Sequence, residues 1–161
     1  MKAPSLGYQE DTSMSKFEIA RLQIEEAITL FINKKFLCAL TLAGAGEEIS
    51  SRLMNSRGQR SSMEQSANTV IALKKSTGLA ALEEVTESSM FKGWNSARNA
   101  AKHHNDGEDE TVVLNLFDEA YWMIRRALAN TKSLSLQISN EVDFENWVIV
   151  NINMDADEDE I

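Results

Sequence analysis

Proline is almost missing from this chain: Pro4 is the only one in 161 residues. Past that point nothing fixes φ or removes a backbone donor, so the whole body of the chain is free to form long helices. Cysteine is equally scarce. The lone Cys38 excludes an internal disulfide framework and suits a reducing compartment, so a cytoplasmic protein is expected. Its neighbours Leu37 and Ala39 make this thiol read as a packed core residue, since a reactive thiolate needs nearby positive charge or a helix N-terminus. No apolar run approaches the roughly 20 residues of a membrane span. Lys2 has no apolar stretch behind it of the kind a signal peptide carries, and no membrane partner is expected.

Positive charge is lacking in one half. Residues 1–104 hold 13 Lys/Arg and 11 Asp/Glu, whereas residues 105–161 hold 3 and 14, and the net charge is −9. A general nucleic-acid binder carries a basic excess. Any action on RNA would therefore rest on a local cluster and not on the overall field.

What is present is helical periodicity. The length suits one domain with one core. Residues 1–15 read as a flexible lead, 16–152 as a single helical-bundle domain, and 153–161 as an acidic, disordered tail. Phe17, Ala20, Ile24, Ala27, Ile28 and Phe31 predict a first helix over 16–33, with Ser15 and Glu18 as a capping box and Asn33 closing it. A second helix is expected over 36–55, with Leu42, Ala45, Ile49 and Leu53 as its buried stripe. Gly44 and Gly46 imply a close approach by another backbone, because each glycine in a helix costs about 1 kcal/mol relative to alanine. Either Glu47 or Glu48 must lie near that stripe. Residues 55–66 read as a polar loop, followed by weak helices over 67–75 and 79–88 that break near Gly78. A helix over 88–104 would turn Met90, Phe91, Trp94, Ala97 and Ala101 inward, with Gly93 as its weak point. After an acidic loop, Val113, Leu116, Phe117, Ala120, Tyr121, Ile124 and Leu128 mark another helix. Glu108 to Glu110 suit its N-terminal dipole, and Arg125, Arg126 and Lys132 suit its C-terminal end. The last segment, 141–152, carries Phe144, Trp147, Val148 and Ile152, with Asp143 as a candidate cap. The fold class is all-α, an up-down bundle of four or five main helices.

The most informative stretch is Arg98-Asn99-Ala100-Ala101-Lys102-His103, followed by His104. It gathers both histidines of the chain beside an arginine. In one reading Arg98 and Lys102 face solvent and the histidines simply end a helix, where cations favour the negative dipole end. In the other, Arg98 and His103 are catalytic. Metal-free phosphodiester cleavage needs a base at the 2′-hydroxyl, an acid at the leaving oxygen and a cation on the phosphate. Five residues on a helix turn through about 140°, so the two do not share a face within one chain. A second subunit would have to bring a second copy of the pair.

An arginine, a polar residue and then a histidine four to six positions from the arginine, late in a small helical bundle, resembles the HEPN superfamily. Thr41 to Ile49 on the second helix, together with Lys102-His103 and Asn105-Asp106, is similar to small bacterial proteins of HEPN-like type. The resemblance covers roughly residues 16–150. It implies a bundle that forms a homodimer by pairing its motif helices. Many members are metal-independent endoribonucleases of toxin–antitoxin and phage-defence systems, so RNA would be the substrate and an antitoxin a partner. Others have lost catalysis and act as binding domains. By the resemblance, Arg98 and His103 (or His104) would be catalytic, Asn99 would orient them, and Glu47 or Glu48 would be a supporting polar group. No cofactor is implied.

A metal site built from His103, His104, Asp106, Glu108 and Asp109 is the weaker reading, because ligands packed in one loop seldom close a coordination sphere unaided. No metal is expected. Trp94, Trp122 and Trp147 fall at helical core spacing, and Arg52, Arg57 and Arg60 read as solvated loop charges. Gly44-Ala45-Gly46 lacks the lysine and the strand–loop–helix setting of a phosphate loop.

Overall fold

The computed structural model describes residues 6–8, 10–104 and 109–154. The first five residues of the expected lead, the centre of the acidic loop and the tail from 155 onward lie outside that set. Every regular element among the described residues is helical: α1 (Lys16–Ile32), α2 (Phe36–Asn55), α3 (Ser62–Thr77), α4 (Glu87–Trp94), α5 (Ser96–Lys102), α6 (Leu116–Ser133) and α7 (Glu141–Met154). None of these helices is long and apolar enough to cross a membrane.

The first two helices begin and end close to where the sequence puts them. The Ser15 hydroxyl accepts from the Glu18 backbone N–H at 3.1 Å, which is one half of the expected capping box. The Asn33 side chain donates to the Thr29 carbonyl at 2.8 Å and closes α1. The short turn at 33–35, with Lys34 in the left-handed region (φ 58°), returns α2 along α1. Ring pairs then fix the directions of the remaining long helices. Phe36 and Phe117, at the starts of α2 and α6, sit 5.3 Å apart, while Glu47 and Arg126 meet further along the same two helices. Hence α2 and α6 run parallel. Phe144 packs on Tyr121 and Trp147 on Phe117, so α7 runs back along α6. The alternation of an up-down bundle holds within each hairpin, α1–α2 and α6–α7. It is interrupted between them by a crossover that holds α3, α4 and α5.

Phe31 is the centre of the core. It is fully buried, and its ring centroid lies 5.2 Å from Phe36, 5.4 Å from Phe117, 5.3 Å from Phe144 and 5.2 Å from Trp147. At the other end Glu25 clasps the start of α7. Its Oε1 accepts from the Ser139 backbone N–H at 3.0 Å, and its own carbonyl accepts from the Asn140 side chain at 2.8 Å. Burial pushes the Glu25 carboxyl up, but the Ser139 hydrogen bonds and the Arg21 guanidinium outweigh it, so the group titrates below the ordinary carboxylate range.

Several expectations are corrected. The buried stripe of α2 is Ala39, Leu40, Ala43, Gly44, Gly46, Glu47, Ser50 and Met54, while Leu42, Ala45, Ile49 and Leu53 are half-buried. The physical reason is close approach: small residues bury more completely when a neighbouring helix lies against their backbone. A β-carbon at Gly46 would stand 2.6 Å from Ile24 Cγ1 and 3.2 Å from the Ala20 carbonyl oxygen on α1. The polar stretch 55–66 is not all loop, because α3 already begins at Ser62. A Ser61–Glu64 capping box starts it, with the Glu64 carboxylate accepting from the Ser61 N–H at 2.7 Å. The expected helix over 79–88 reduces to a single turn at Ala80–Leu82. The expected helix over 88–104 is two helices broken at Asn95, two residues beyond the glycine read as its weak point. Asn95 keeps backbone hydrogen bonds to Phe91 and Asn99 but turns the chain at φ −106°, ψ −1°, and its side-chain oxygen accepts from Arg126. Val113 is 96% exposed and precedes α6, whose cap is Asn115 and whose first-turn acids are Asp118 and Glu119. Asp143 lies inside the first turn of α7. Cys38 is exposed, not packed. Trp94 and Trp122 also lie at the surface.

Candidate functional site

The crossover delivers α5 against the middle of α2, where Gly44 makes room for it. A β-carbon at Gly44 would collide with Arg98 Cδ and stand 2.9 Å from Arg98 Cγ. The arginine stem therefore passes directly over the α2 backbone, and its guanidinium Nη1 donates to the Gly44 carbonyl at 3.3 Å. The same nitrogen lies 3.6 Å from Glu48 Oε2 and 4.0 Å from Glu47 Oε2. Arg98 is thus enclosed and not solvent-facing, contrary to the reading that paired it with Lys102 on an outer face. The structure does bring it to both acids of α2.

Glu47 is 3% exposed and joins three elements. Its Oε1 lies 3.2 Å from Arg126 Nη2 and accepts from the Asn130 amide at 3.5 Å, both on α6. Asn130 in turn accepts from the Ser62 N–H at 2.8 Å and so caps α3. Arg126 donates onward to the Trp94 carbonyl and to Asn95 Oδ1, each at 3.1 Å, which secures the break between α4 and α5. A near-buried charge is tolerable when it is paired and hydrogen-bonded on several sides. Glu47 and the terminal nitrogens of Arg98 and Arg126 meet that condition, while the buried Nε of each arginine is left without a partner. One signal for Asn130 is present in the sequence: it continues the inward-facing series Ala120, Met123, Ala127 of α6 at three- and four-residue steps.

The histidines lie on a different side of α5. His103 ends the helix, its N–H donating to the Asn99 carbonyl at 2.9 Å. His103, His104 and Asn99, with Lys92, line an open groove of about 1090 Å³ whose far wall includes Asp109 and Glu110. Arg98 opens instead onto a smaller groove of about 230 Å³ shared with Glu47, Glu48 and Arg52. Within one chain, then, Glu47, Glu48 and Arg98 form one cluster, and Asn99, His103 and His104 form another. This follows from the rotation per residue along the helix. Among the described residues no three His, Cys, Asp or Glu side chains are arranged to hold a metal ion. Asp106 and Glu108 of the loop-metal reading lie outside them.

The tight passage at Gly44 has a measurable consequence. Gly44→Ala is expected to destabilise the fold by about 1–3 kcal/mol in urea unfolding, the usual cost of forcing an extra methyl into a packed seam. In an Arg98→Ala background the same methyl should cost little, because the obstructing stem is gone. An additive double mutant would mean that Arg98 is not what the methyl meets.

No protein-family model matches the chain, and no curated protein or solved structure matches it.

Proposed function

We propose that the protein is a HEPN-like, metal-independent endoribonuclease that acts as a homodimer, of the kind that serves as a toxin held by an antitoxin or in phage defence. The observation that supports this reading best is the Glu47–Glu48–Arg98 contact. The resemblance implied an acid of the second helix supporting the motif arginine, and α2 and α5 meet at those side chains. Asn99 and the two histidines stand at the same helix in an open groove.

In this mechanism one histidine takes the proton of the ribose 2′-hydroxyl. The 2′-oxygen attacks phosphorus, and the bond from phosphorus to the 5′-oxygen breaks. A second histidine protonates that leaving oxygen, giving a cyclic phosphate and a free 5′-hydroxyl. Arg98 steadies the charge on the phosphate oxygens. Because Arg98 and His103 lie on different sides of α5, a second copy supplies the missing member across a shared cleft.

The test is cleavage of single-stranded RNA in the presence of a chelator. Arg98→Ala and His103→Ala should each lower the rate by about 10²–10⁴-fold while the helical circular dichroism is retained. Unchanged cleavage in both variants would sink the proposal. A second reading, a non-catalytic binding domain of the same fold, is favoured by one specific observation. Arg98 is already shared by two carboxylates and a carbonyl, and Asp109 and Glu110 line the histidine groove. It predicts no cleavage by the unmodified protein under any condition.

A further inference from the structure

Two of the three tryptophans are surface residues, and they line the same depression. Trp122 on α6 is 63% exposed and Trp94 at the end of α4 is 37% exposed. Both border a groove of about 420 Å³ between α3, α4 and α6. Core packing does not explain them, since large aromatic side chains contribute most when buried. We infer that this groove is a nucleobase pocket for a guanine-type ring.

The walls are held in place without a ligand. The Trp94 backbone is pinned by Arg126 through its carbonyl at 3.1 Å. The Trp122 indole stands edge-on to Tyr121 at 5.0 Å. Met63 and Met123 contribute polarisable sulfur surface. Gly93 keeps the space open: it lies inside α4, where glycine is a poor helix former, and a β-carbon there would meet nothing within 4 Å. Packing of the protein on itself therefore does not require a glycine, whereas an empty groove does.

Ser66, Arg126 and Glu119 are the polar side chains of the lining. The terminal nitrogens of Arg126 are already held by Glu47, Trp94 and Asn95, so the carboxylate selects the ring. Glu119 lines the groove and, among the described residues, its carboxylate makes no hydrogen bond or ion pair. Its place in the first turn of α6 suits the helix dipole, which explains the charge but not the pocket around it. An ionised carboxylate only accepts hydrogen bonds. Guanine presents two adjacent donors, N1–H and the 2-amino group, that match its two oxygens. Adenine and cytosine place an acceptor next to their amino group and would meet repulsion there. The volume falls within the range of small-ligand pockets, and indole faces stack on bases in proteins that bind single strands.

The base can be free or part of a strand. Along α4, Lys92 lines the histidine groove while the next two residues, Gly93 and Trp94, line this one. A strand bound in both would have to pass over α4 at Lys92 and Gly93. In that form the inference rests on the RNA-acting reading above.

Tryptophan fluorescence and calorimetry with 5′-GMP, 5′-AMP and 5′-CMP provide the test. GMP should quench and bind at least about ten-fold more tightly than the other two, since a site built for donors rejects a ring lacking them. Gly93→Leu should abolish GMP binding without lowering the thermal midpoint, since leucine is the better helix former. Glu119→Gln, which turns a donor toward the ring, should remove the preference for GMP. Equal binding of the three nucleotides, no binding, or unaltered binding by both variants would overturn the pocket. Tighter binding of a guanine-containing pentamer RNA than of GMP assigns the base to a strand, and the reverse assigns a free nucleotide. RNA cleavage together with equal or no binding of the three nucleotides would remove the pocket and leave the ribonuclease. Guanine binding without cleavage would do the opposite.

Discussion

Replacing Glu47 with alanine is expected to lower the unfolding free energy by about 3–5 kcal/mol, the usual cost of removing one member of a buried ion pair. The figure follows from what the substitution leaves behind. Arg126, with a side chain only 15% exposed, would keep its charge and lose its carboxylate. Arg98, 14% exposed, would retain only Glu48, which is itself half in solvent. Asn130 would lose the acceptor that orients it and would hold the start of α3 less firmly. Urea unfolding followed by circular dichroism measures the change. Glu47→Ala with Arg126→Met should be more stable than Glu47→Ala alone, because the second change removes the stranded charge. A single-mutant loss below about 1 kcal/mol would show that water already reaches the network and that the pair is not buried in solution.

Phe31→Ala should cost a similar amount, about 3–5 kcal/mol, through a different cause. Here no charge is involved. The lost ring is the one to which α2, α6 and α7 all attach by aromatic contact, through Phe36, Phe117, Phe144 and Trp147. Four rings cannot all close on a methyl group at once, so a cavity remains and adds to the lost transfer free energy. The near-ultraviolet dichroism of these rings should weaken along with the midpoint. Phe31→Leu should recover more than half of the loss. A loss under about 2 kcal/mol would mean that the surrounding rings collapse into the space.

The long helices could be read from the sequence because their apolar residues repeat over many turns. Phe17 to Phe31 and Leu116 to Leu128 each give several repeats, and the second helix is bounded where expected. The phase of α2 could not be read in this way. Its buried face is built from Ala43, Gly44, Gly46 and Ser50, residues that carry little hydrophobic signal. What buries them is the arrival of α1, α6 and α5, which no local window contains. The crossover was the least legible part. α4 and α5 are short, and the break at Asn95 depends on Arg126, more than thirty residues away in sequence. One start signal was present and unused: Ser61-Ser62-Met63-Glu64 has the spacing of the capping box that opens α3.

The separation of Arg98 from the histidines was legible in the sequence, and the choice between Glu47 and Glu48 was not. Rare residues marked Arg98, Asn99, His103 and His104, and helical phase already separated the arginine from the histidine. That Glu47 would be the enclosed acid and Glu48 the half-exposed one needed the position of Arg98. The tryptophans misled because their spacing is helical, and spacing alone does not say which side of a helix is covered.

The parallel course of α2 and α6 also bears on where this chain can change length. The chain leaves α2 after Asn55 and returns at Leu116, and contacts elsewhere fix both of those helices. The entropy of closing a loop rises only with the logarithm of its length, about 0.6 kcal/mol for each doubling. Insertions at the exposed turns of this crossover, outside α3, α4, α5 and their contacts with α2 and α6, would barely alter the stability of the α1–α2 and α6–α7 hairpins. Parts of both grooves are built from the crossover itself, through Lys92, Gly93, Trp94, Asn99 and His103. New crossover sequence could therefore reshape what the protein binds while the two hairpins stay as they are.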